Sequence, residues 1–361
     1  MSGGIDSTVT AVMLKEQGYE VIGITMKTWD YSNSGGNKKE TGCCSLDSIN
    51  DARAICVEHE IPHMILDIRS EFGDFVIDDF VNEYLSGRTP NPCVLCNTHI
   101  KWEALMKRAN QLNCEFIATG HYANVREENG RHIVSKGIDA WKDQSYVLWG
   151  VSQQNLARTL LPMGQYHKTD IKQMALDWGY TELANKSESY EICFIPDNDY
   201  RGFLKRRVDG LEQRVDGGEF VGTKGEHLGN HHGYPFYTIG QRKGLGVYGE
   251  EPKYVVDIDA ETNKIVLGDK SSLLRDGMFV NDLNMVKYDR IPEGLETTTK
   301  VRYKHEGAPA RIYHEDDSIL RVEFSTNVEA IAPGQSAVFY EGDDLLGGGR
   351  ILSSFKTEMS E

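Results

Sequence analysis

Two short segments carry residue types at spacings that can do chemistry. The first is Ser2-Gly3-Gly4-Ile5-Asp6-Ser7, followed at once by a run in which Val9, Val12, Met13 and Leu14 recur at helical spacing up to Gly18. Paired glycines let a backbone approach an anion closely, and serine hydroxyls with the amides of a helix N-terminus donate to phosphate oxygens. No Gly-Lys-Ser/Thr follows, so this is not a Walker-type loop. The second segment is Gly87-Arg88-Thr89-Pro90-Asn91-Pro92-Cys93-Val94-Leu95-Cys96-Asn97. Two prolines stiffen a loop that presents Cys93 and Cys96 ahead of a helix expected from near Thr98, and a helix N-terminus lowers a thiol pKa. Cys193 lies far along the chain in the apolar run Ile192-Cys193-Phe194-Ile195, which can bring it over the same place.

The remaining cysteines are Cys43, Cys44, Cys56 and Cys114, which makes an odd total of seven. With no secretory signal, that argues against a disulfide framework and for a reducing cytosol. Cys56 and Cys114 read as buried structural thiols. A zinc knuckle would need a second CxxC or a His pair at ligand spacing, and none is present; His231-His232 stands alone and reads as a structural or RNA-facing loop. A reactive pair, one thiol carrying sulfur and the other attacking it, suits a stiff CxxC with a distant third cysteine.

Elements that must position these residues follow from the pattern. Glu20–Met26, His63–Ile68 and Phe116–Thr119 are short apolar runs suited to buried parallel strands, alternating with helical patterns at Ser45–Glu58, Phe75–Leu85 and Thr98–Leu112. Such alternation gives a parallel sheet covered by helices, with ligands at the carboxyl ends of its strands. Trp29–Gly42 reads as a polar surface loop. From Gly217 to Gly249 the chain is glycine-dense, and from about Gly277 it reads as short strands: Thr297–Tyr303, Ala310–Tyr313, Ser318–Phe324, Ser336–Tyr340 and Gly347–Leu352. That spacing predicts a small antiparallel barrel.

At 361 residues, with 39% hydrophobic and 26% charged residues, the chain has a globular composition and room for two or three domains. No stretch has the ~18–20 apolar residues of a membrane span, and the first residues lack the layout of a signal or transit peptide. A net charge of −16 argues against a non-specific, basic nucleic-acid binder. It leaves room for a local basic face, for which Lys205-Arg206-Arg207 and Gln241-Arg242-Lys243 are candidates.

SGGIDS resembles the signature of the PP-loop ATP pyrophosphatases, which cleave ATP between the α and β phosphates. In those relatives a β-branched strand precedes the loop. Only Met1 precedes it here, so an upstream strand is expected in the natural reading frame. Further blocks follow in order: TPNPCVLCN, ATGHY (Ala118–Tyr122), KDQSY (Lys142–Tyr146), YEICFI and FYTIGQRKGLG (Phe236–Gly246). Together they resemble the tRNA-specific 2-thiouridylases of the MnmA type across the whole chain.

The resemblance implies an α/β PP-loop domain over residues 1–200, a small mixed central domain over 201–274 and a C-terminal antiparallel β-barrel over 275–361. It implies ATP with Mg2+ as cofactors, held by Met1, Ser2, Gly3, Gly4, Ile5, Asp6, Ser7, Met26 and Gly120. It implies that Cys193 carries a persulfide which Cys96 attacks, that the two can form a disulfide at rest, and that the product is 2-thiouridine at the wobble position of tRNAs for Glu, Gln and Lys. Expected partners are tRNA and a persulfide donor, either a cysteine desulfurase or a sulfur-relay protein. Asn91, Pro92 and Cys93 match the target-base contact; His121, Lys142, Asp143, Gln144, Arg302, Tyr303 and Gln335 match other tRNA contacts. Many members carry Asp where Cys93 stands, which leaves the proton-shuttle role unassigned. It also places Cys93, Cys96 and Cys193 around one pocket, a ligand set for a [4Fe–4S] cluster with one open iron. The alternatives are another PP-loop adenylating enzyme, which needs no cysteine pair, and an inactive tRNA-binding protein.

Overall fold

The computed structural model describes residues 1–29, 45–186, 192–247 and 251–357. Cys43, Cys44, most of the Trp29–Gly42 loop, Tyr190 and Glu191 of the YEICFI block, and the end of the glycine-dense stretch at Tyr248-Gly249 lie outside the described residues. The chain divides into two compact units. One comprises Met1–Val76, Cys93–Asp199 and Asp343–Leu345; the other comprises Ile77–Pro92, Tyr200–Gly342 and Leu346–Glu361.

The first unit is α/β. Its opening helix, Ile5–Glu16, buries Val9 and Val12 completely, and Gly18 in a left-handed turn (φ 90°) follows its C-terminal end. The helix Leu46–Glu58 starts where the Ser45 side chain accepts the Ser48 amide at 3.1 Å. Gly23–Lys27 pairs in parallel with His63–Asp67, register Gly23 opposite His63, and Ile117–Ala118 pairs in parallel with Thr159–Leu160. The first strand is thus shorter at its start than the apolar run suggests. The parallel pairs stand as two separate two-stranded ladders among the described residues. An antiparallel hairpin, Ala123–Glu128 with Arg131–Lys136, was not anticipated from the sequence. Its turn is Asn129-Gly130, both at positive φ (54° and 76°), the tight connection that matches the strand twist.

The expected helix Phe75–Leu85 is a wide turn, Gly73–Ile77, followed by the α-helix Asp78–Leu85, and the division between units falls inside it. The second unit holds a four-stranded sheet in the order His227–His231, Gly218–Gly222, Lys264–Gly268, Tyr254–Asp259. It also holds a six-stranded barrel. Its strands run in the order Leu274–Met285, Leu320–Glu329, Ala308–His314, Leu295–Lys300, Ser336–Glu341 and Asp344–Phe355, and the first closes on the last. Alternate residues point inward, as Ala308, Ala310 and Ile312 show, and fill the interior with Met278, Val280, Val322, Phe339 and Ile351. The sequence missed Leu274–Met285, whose alternation is broken by Asp276, Gly277 and Asn281. Register shifts skip Asp276 and, just after Asn281, Asp282 and Leu283.

Candidate active site

The Ser/Gly loop sits where the sequence expects a phosphate cradle. Ser2 donates its amide to the Ser7 hydroxyl at 3.0 Å, the two hydroxyls stand 3.1 Å apart, and Ser7 Oγ donates to the Gly4 carbonyl at 3.1 Å. Gly3 has φ 67° and lies so close to Ser48 that a Cβ would fall 2.2 Å from that carbonyl oxygen. Gly120 backs onto the same loop: a Cβ there would stand 2.8 Å from the Asp6 carbonyl carbon and 2.9 Å from the Ser7 nitrogen. Ile5 is buried under the loop, Met26 lies on the strand Gly23–Lys27, and the Met1 amino group bonds the Ile24 carbonyl of that strand.

Asp6 is held by two residues the sequence did not single out for it. Tyr122 donates its hydroxyl to Asp6 Oδ1 at 2.7 Å, and Lys168 places its ammonium 2.6 Å from the same oxygen. Lys168 is buried, and its side chain is 10% exposed against 32% for Asp6. A further lysine, Lys186, donates to the Gly3 carbonyl at 3.0 Å and to Asp51 at 2.7 Å. Nothing in the local sequence around Lys168 or Lys186 marks them; both reach the loop across long stretches of chain.

The cysteine pair is not presented on a loop. Helix begins at Pro92 and runs through Pro92–Leu95, a wide π stretch at Cys96–Ala104 and Leu105–Gln111. The expected start near Thr98 is therefore corrected. Proline has no N–H to satisfy and its fixed φ suits the first helical position, so Pro92 opens the helix where a stiff loop was expected. Cys93 and Cys96 fall three residues apart in the first turns, on one face. Among the described residues Cys56, Cys93, Cys96, Cys114 and Cys193 form no disulfide. The Cys96–Cys193 disulfide implied by the resemblance is thus not formed here.

Cys93 is exposed to solvent, yet the protein crowded around it desolvates the thiol and pushes its pKa up, against the pull of the Lys101 ammonium. The exposure governs access; the direction of the shift means the expected depression by the helix end does not hold at Cys93. Cys193 is half-buried and is followed by Phe194, which is fully packed against Phe72 (ring centroids 5.7 Å) and Trp29 (6.4 Å). Cys56 is buried, as expected, beside the Met1 sulfur at 3.2 Å; Cys114 is only half-buried.

The Cys helix and the phosphate loop meet through ATGHY. Next to Gly120, His121 lies buried with Nδ1 2.8 Å from Thr119 Oγ1 and Nε2 3.4 Å from Lys101 Nζ. Burial, then the Lys101 charge, holds His121 well below the usual histidine range, so it is neutral at pH 7.

Other expected contacts are placed as follows. Asp143 accepts the Gly137 and Ser145 amides at 3.2 and 3.1 Å and the Ser145 hydroxyl at 2.9 Å, and Gln144 Oε1 accepts the Tyr122 amide at 3.1 Å. Lys142 follows on the same turn, its amide bonded to the Asp139 carbonyl at 3.0 Å. In the second unit Gln335 donates to the carbonyls of Pro90 at 2.7 Å and Thr89 at 3.3 Å, and Asn91 Nδ2 to Ser336 Oγ at 3.4 Å. Glu83, itself buried, takes Arg88 Nε at 2.9 Å and Arg350 Nη1 at 2.9 Å, bracing the start of that loop. Arg302 donates to the Glu329 carbonyl at 3.2 Å and Tyr303 is exposed.

Lys205 and Arg207, in the last turn of the helix Tyr200–Arg207, are paired to Glu212 at 2.7 Å and Asp78 at 3.2 Å, which weakens them as a basic face. His231 is a core residue between Phe220 and Tyr237, its pKa lowered to about 4 by burial. Among the described residues no group of three or more His, Cys, Asp or Glu is arranged to hold a metal ion. No described helix is long and apolar enough to cross a membrane.

Comparison with known proteins covers nearly all of the chain. Residues 1–197 match the family model described as a tRNA methyl transferase HUP domain, 202–269 its PRC-barrel domain and 275–351 an aminomethyltransferase beta-barrel domain. Similar curated proteins include the tRNA-specific 2-thiouridylase MnmA of Amoebophilus asiaticus, 64% identical over 99% of this chain and 95% of that relative. The protein of the same name from Cytophaga hutchinsonii is 62% identical (99% and 97% covered), and that of Salinibacter ruber 56% (97% and 92%).

Proposed function

From the premise that the chain belongs to the tRNA-specific 2-thiouridylase family, we propose that it replaces the C2 oxygen of the wobble uridine in tRNAs for Glu, Gln and Lys by sulfur, using ATP and a cysteine persulfide in the cytosol. The observation that carries this reading is the meeting of two chemistries in one unit. The phosphate loop touches Gly120 at Asp6 and Ser7, and the neighbouring His121 reaches Lys101 on the helix that bears Cys93 and Cys96.

A uracil C2 carbonyl is a poor electrophile with no leaving group. Attack of its oxygen on the α phosphate of ATP expels pyrophosphate and turns that oxygen into part of AMP, a good leaving group. Ser2, Ser7 and the amides at the start of Ile5–Glu16 cradle the phosphates, and Lys168 and Lys186 supply positive charge behind the loop. Mg2+ bound with ATP would neutralise the departing pyrophosphate.

The terminal sulfur of a Cys193 persulfide adds to C2, and AMP leaves with the C2–O bond. The Cys96 thiolate attacks the inner sulfur, the S–S bond breaks, and its electron pair stays with the sulfur on C2 as the thiocarbonyl. A Cys96–Cys193 disulfide remains, which an external dithiol reduces for the next turnover. The target base must leave the anticodon stack at a cost of a few kcal/mol. Asn91, Pro92 and Cys93 are the residues proposed to receive it; His121, Lys142, Asp143, Gln144, Arg302, Tyr303 and Gln335 support the bound tRNA directly or by holding its contact loops.

The test is thiolation of unmodified tRNA-Glu transcript with ATP, Mg2+ and a persulfide source, read as wobble 2-thiouridine by mass spectrometry and as AMP released. Wild type gives both; Cys96→Ser and Cys193→Ser lose the thiolated product. Full thiolation by Cys96→Ser would point to another adenylating chemistry, and tRNA binding without AMP release to an inactive binder.

A further inference from the structure

Trp141 is 95% exposed, the largest exposure among the large apolar side chains described. A lone exposed leucine is ordinary, but an indole offered almost whole to water on a pinned loop is not. The loop is fixed at both ends by carboxylates. Asp139 accepts the Trp141 amide at 3.1 Å and, through its other oxygen, the Lys168 amide at 2.9 Å. Asp143 ties Gly137 to Ser145 through one oxygen, at 3.2 and 3.1 Å, and the Ile138 amide bonds the Gly164 carbonyl at 3.0 Å. The ring is therefore presented by a rigid turn, with little ordering left for a ligand to impose.

The same anchor sets its place in the molecule. Lys168, whose amide holds Asp139, is the residue whose ammonium holds Asp6 of the phosphate loop. The indole thus stands on a frame shared with that loop, next to Lys142 in sequence. In sequence its immediate neighbours Ala140, Lys142 and Asp143 are small or charged, and within residues 137–145 Ile138 is the one other exposed large apolar residue among those described. That is too little apolar surface for the core of a protein–protein contact, which needs a contiguous patch. One flat ring suits one flat π-face.

We infer that Trp141 is a stacking platform for an unstacked nucleobase of the tRNA substrate, a contact that rests on the tRNA reading above. Stacking on an aromatic ring tolerates any base, because every base has a π-face, so the platform adds affinity rather than sequence choice.

The test measures Kd for unmodified tRNA-Glu transcript across a salt series with wild type, Trp141→Ala and Trp141→Phe, alongside KM for ATP. Trp141→Ala weakens binding about tenfold and Trp141→Phe by no more than about threefold, the loss expected for one stacked base. The slope of log Kd against log salt stays the same, since no phosphate contact is removed, and KM for ATP does not move. Wild-type affinity in Trp141→Ala, an equal loss in Trp141→Phe, or a loss that appears only with a protein sulfur donor present would each overturn the platform while leaving the thiouridylase reading intact. Failure of the wild type to bind tRNA would overturn both.

Discussion

Two adjacent glycines that look equivalent in Ser2-Gly3-Gly4 are expected to respond very differently to alanine. Gly3 sits at φ 67°, and a Cβ built on it would lie 2.2 Å from the Ser48 carbonyl oxygen, 2.6 Å from its Cα and 2.7 Å from its carbonyl carbon. These are backbone atoms inside the helix Leu46–Glu58, so no side-chain rotation relieves them. Restoring an ordinary 3.4 Å contact means parting loop and helix by about 1.2 Å (3.4 − 2.2). The left-handed backbone costs an alanine roughly 1–2 kcal/mol and the overpacking roughly 1–3 more. Gly3→Ala should therefore lose about 2–5 kcal/mol of stability, or shift the loop by about 1 Å and lose on the order of 100-fold in ATP-dependent AMP release.

Gly4 has φ −104°, open to any residue, and a Cβ there meets only the Ser2 hydroxyl at 3.4 Å. Gly4→Ala should fold within about 0.5 kcal/mol of wild type. Urea denaturation and AMP release on the two variants decide the matter. Equal stability together with equal AMP release for the two variants, or a larger loss for Gly4→Ala, would refute the steric argument.

Three further outcomes follow from the same geometry. Lys168→Met leaves Asp6 with only the Tyr122 hydroxyl among the contacts described, and should raise KM for ATP at least about tenfold with about 1–2 kcal/mol lost, below the usual cost for a buried pair because Asp6 is a third exposed; unchanged values would remove Lys168 from the site. Gln335→Ala frees two carbonyls of the Thr89-Pro90 segment and should cost about 1–2 kcal/mol in thermal stability with little change in tRNA affinity; an affinity loss at unchanged stability would make it a direct tRNA contact. His231, neutral in the fold with its pKa at about 4 against 6.5 when unfolded, gives stability that is full above pH 6.5 and falls as pH drops toward 4. The shift, 6.5 − 4 = 2.5 units, corresponds to about 3 kcal/mol; His231→Phe should flatten the acid limb of urea stability against pH, and an unchanged limb would contradict the buried-neutral assignment.

Residue types and local spacing determined a good deal by themselves. The Gly/Ser loop ahead of a helix, the βα alternation behind it, the barrel strands with their inward alternation, and the family to which six ordered blocks belong were all legible, because each rests on neighbours within a few residues. Chain geometry alone also fixed the Asn129-Gly130 turn, although the hairpin it joins was passed over in favour of the βα pattern. Only tertiary structure could decide the rest. That the segment just ahead of Pro92 is held by Gln335 and Ser336, about 245 residues away, has no local signal. That Gly3 and Gly120 must be glycine depends on Ser48 and Asp6 lying against them. Lys168 reaches Asp6 over 162 residues, and an ion pair between positions so far apart leaves no periodic trace for a local reading to find.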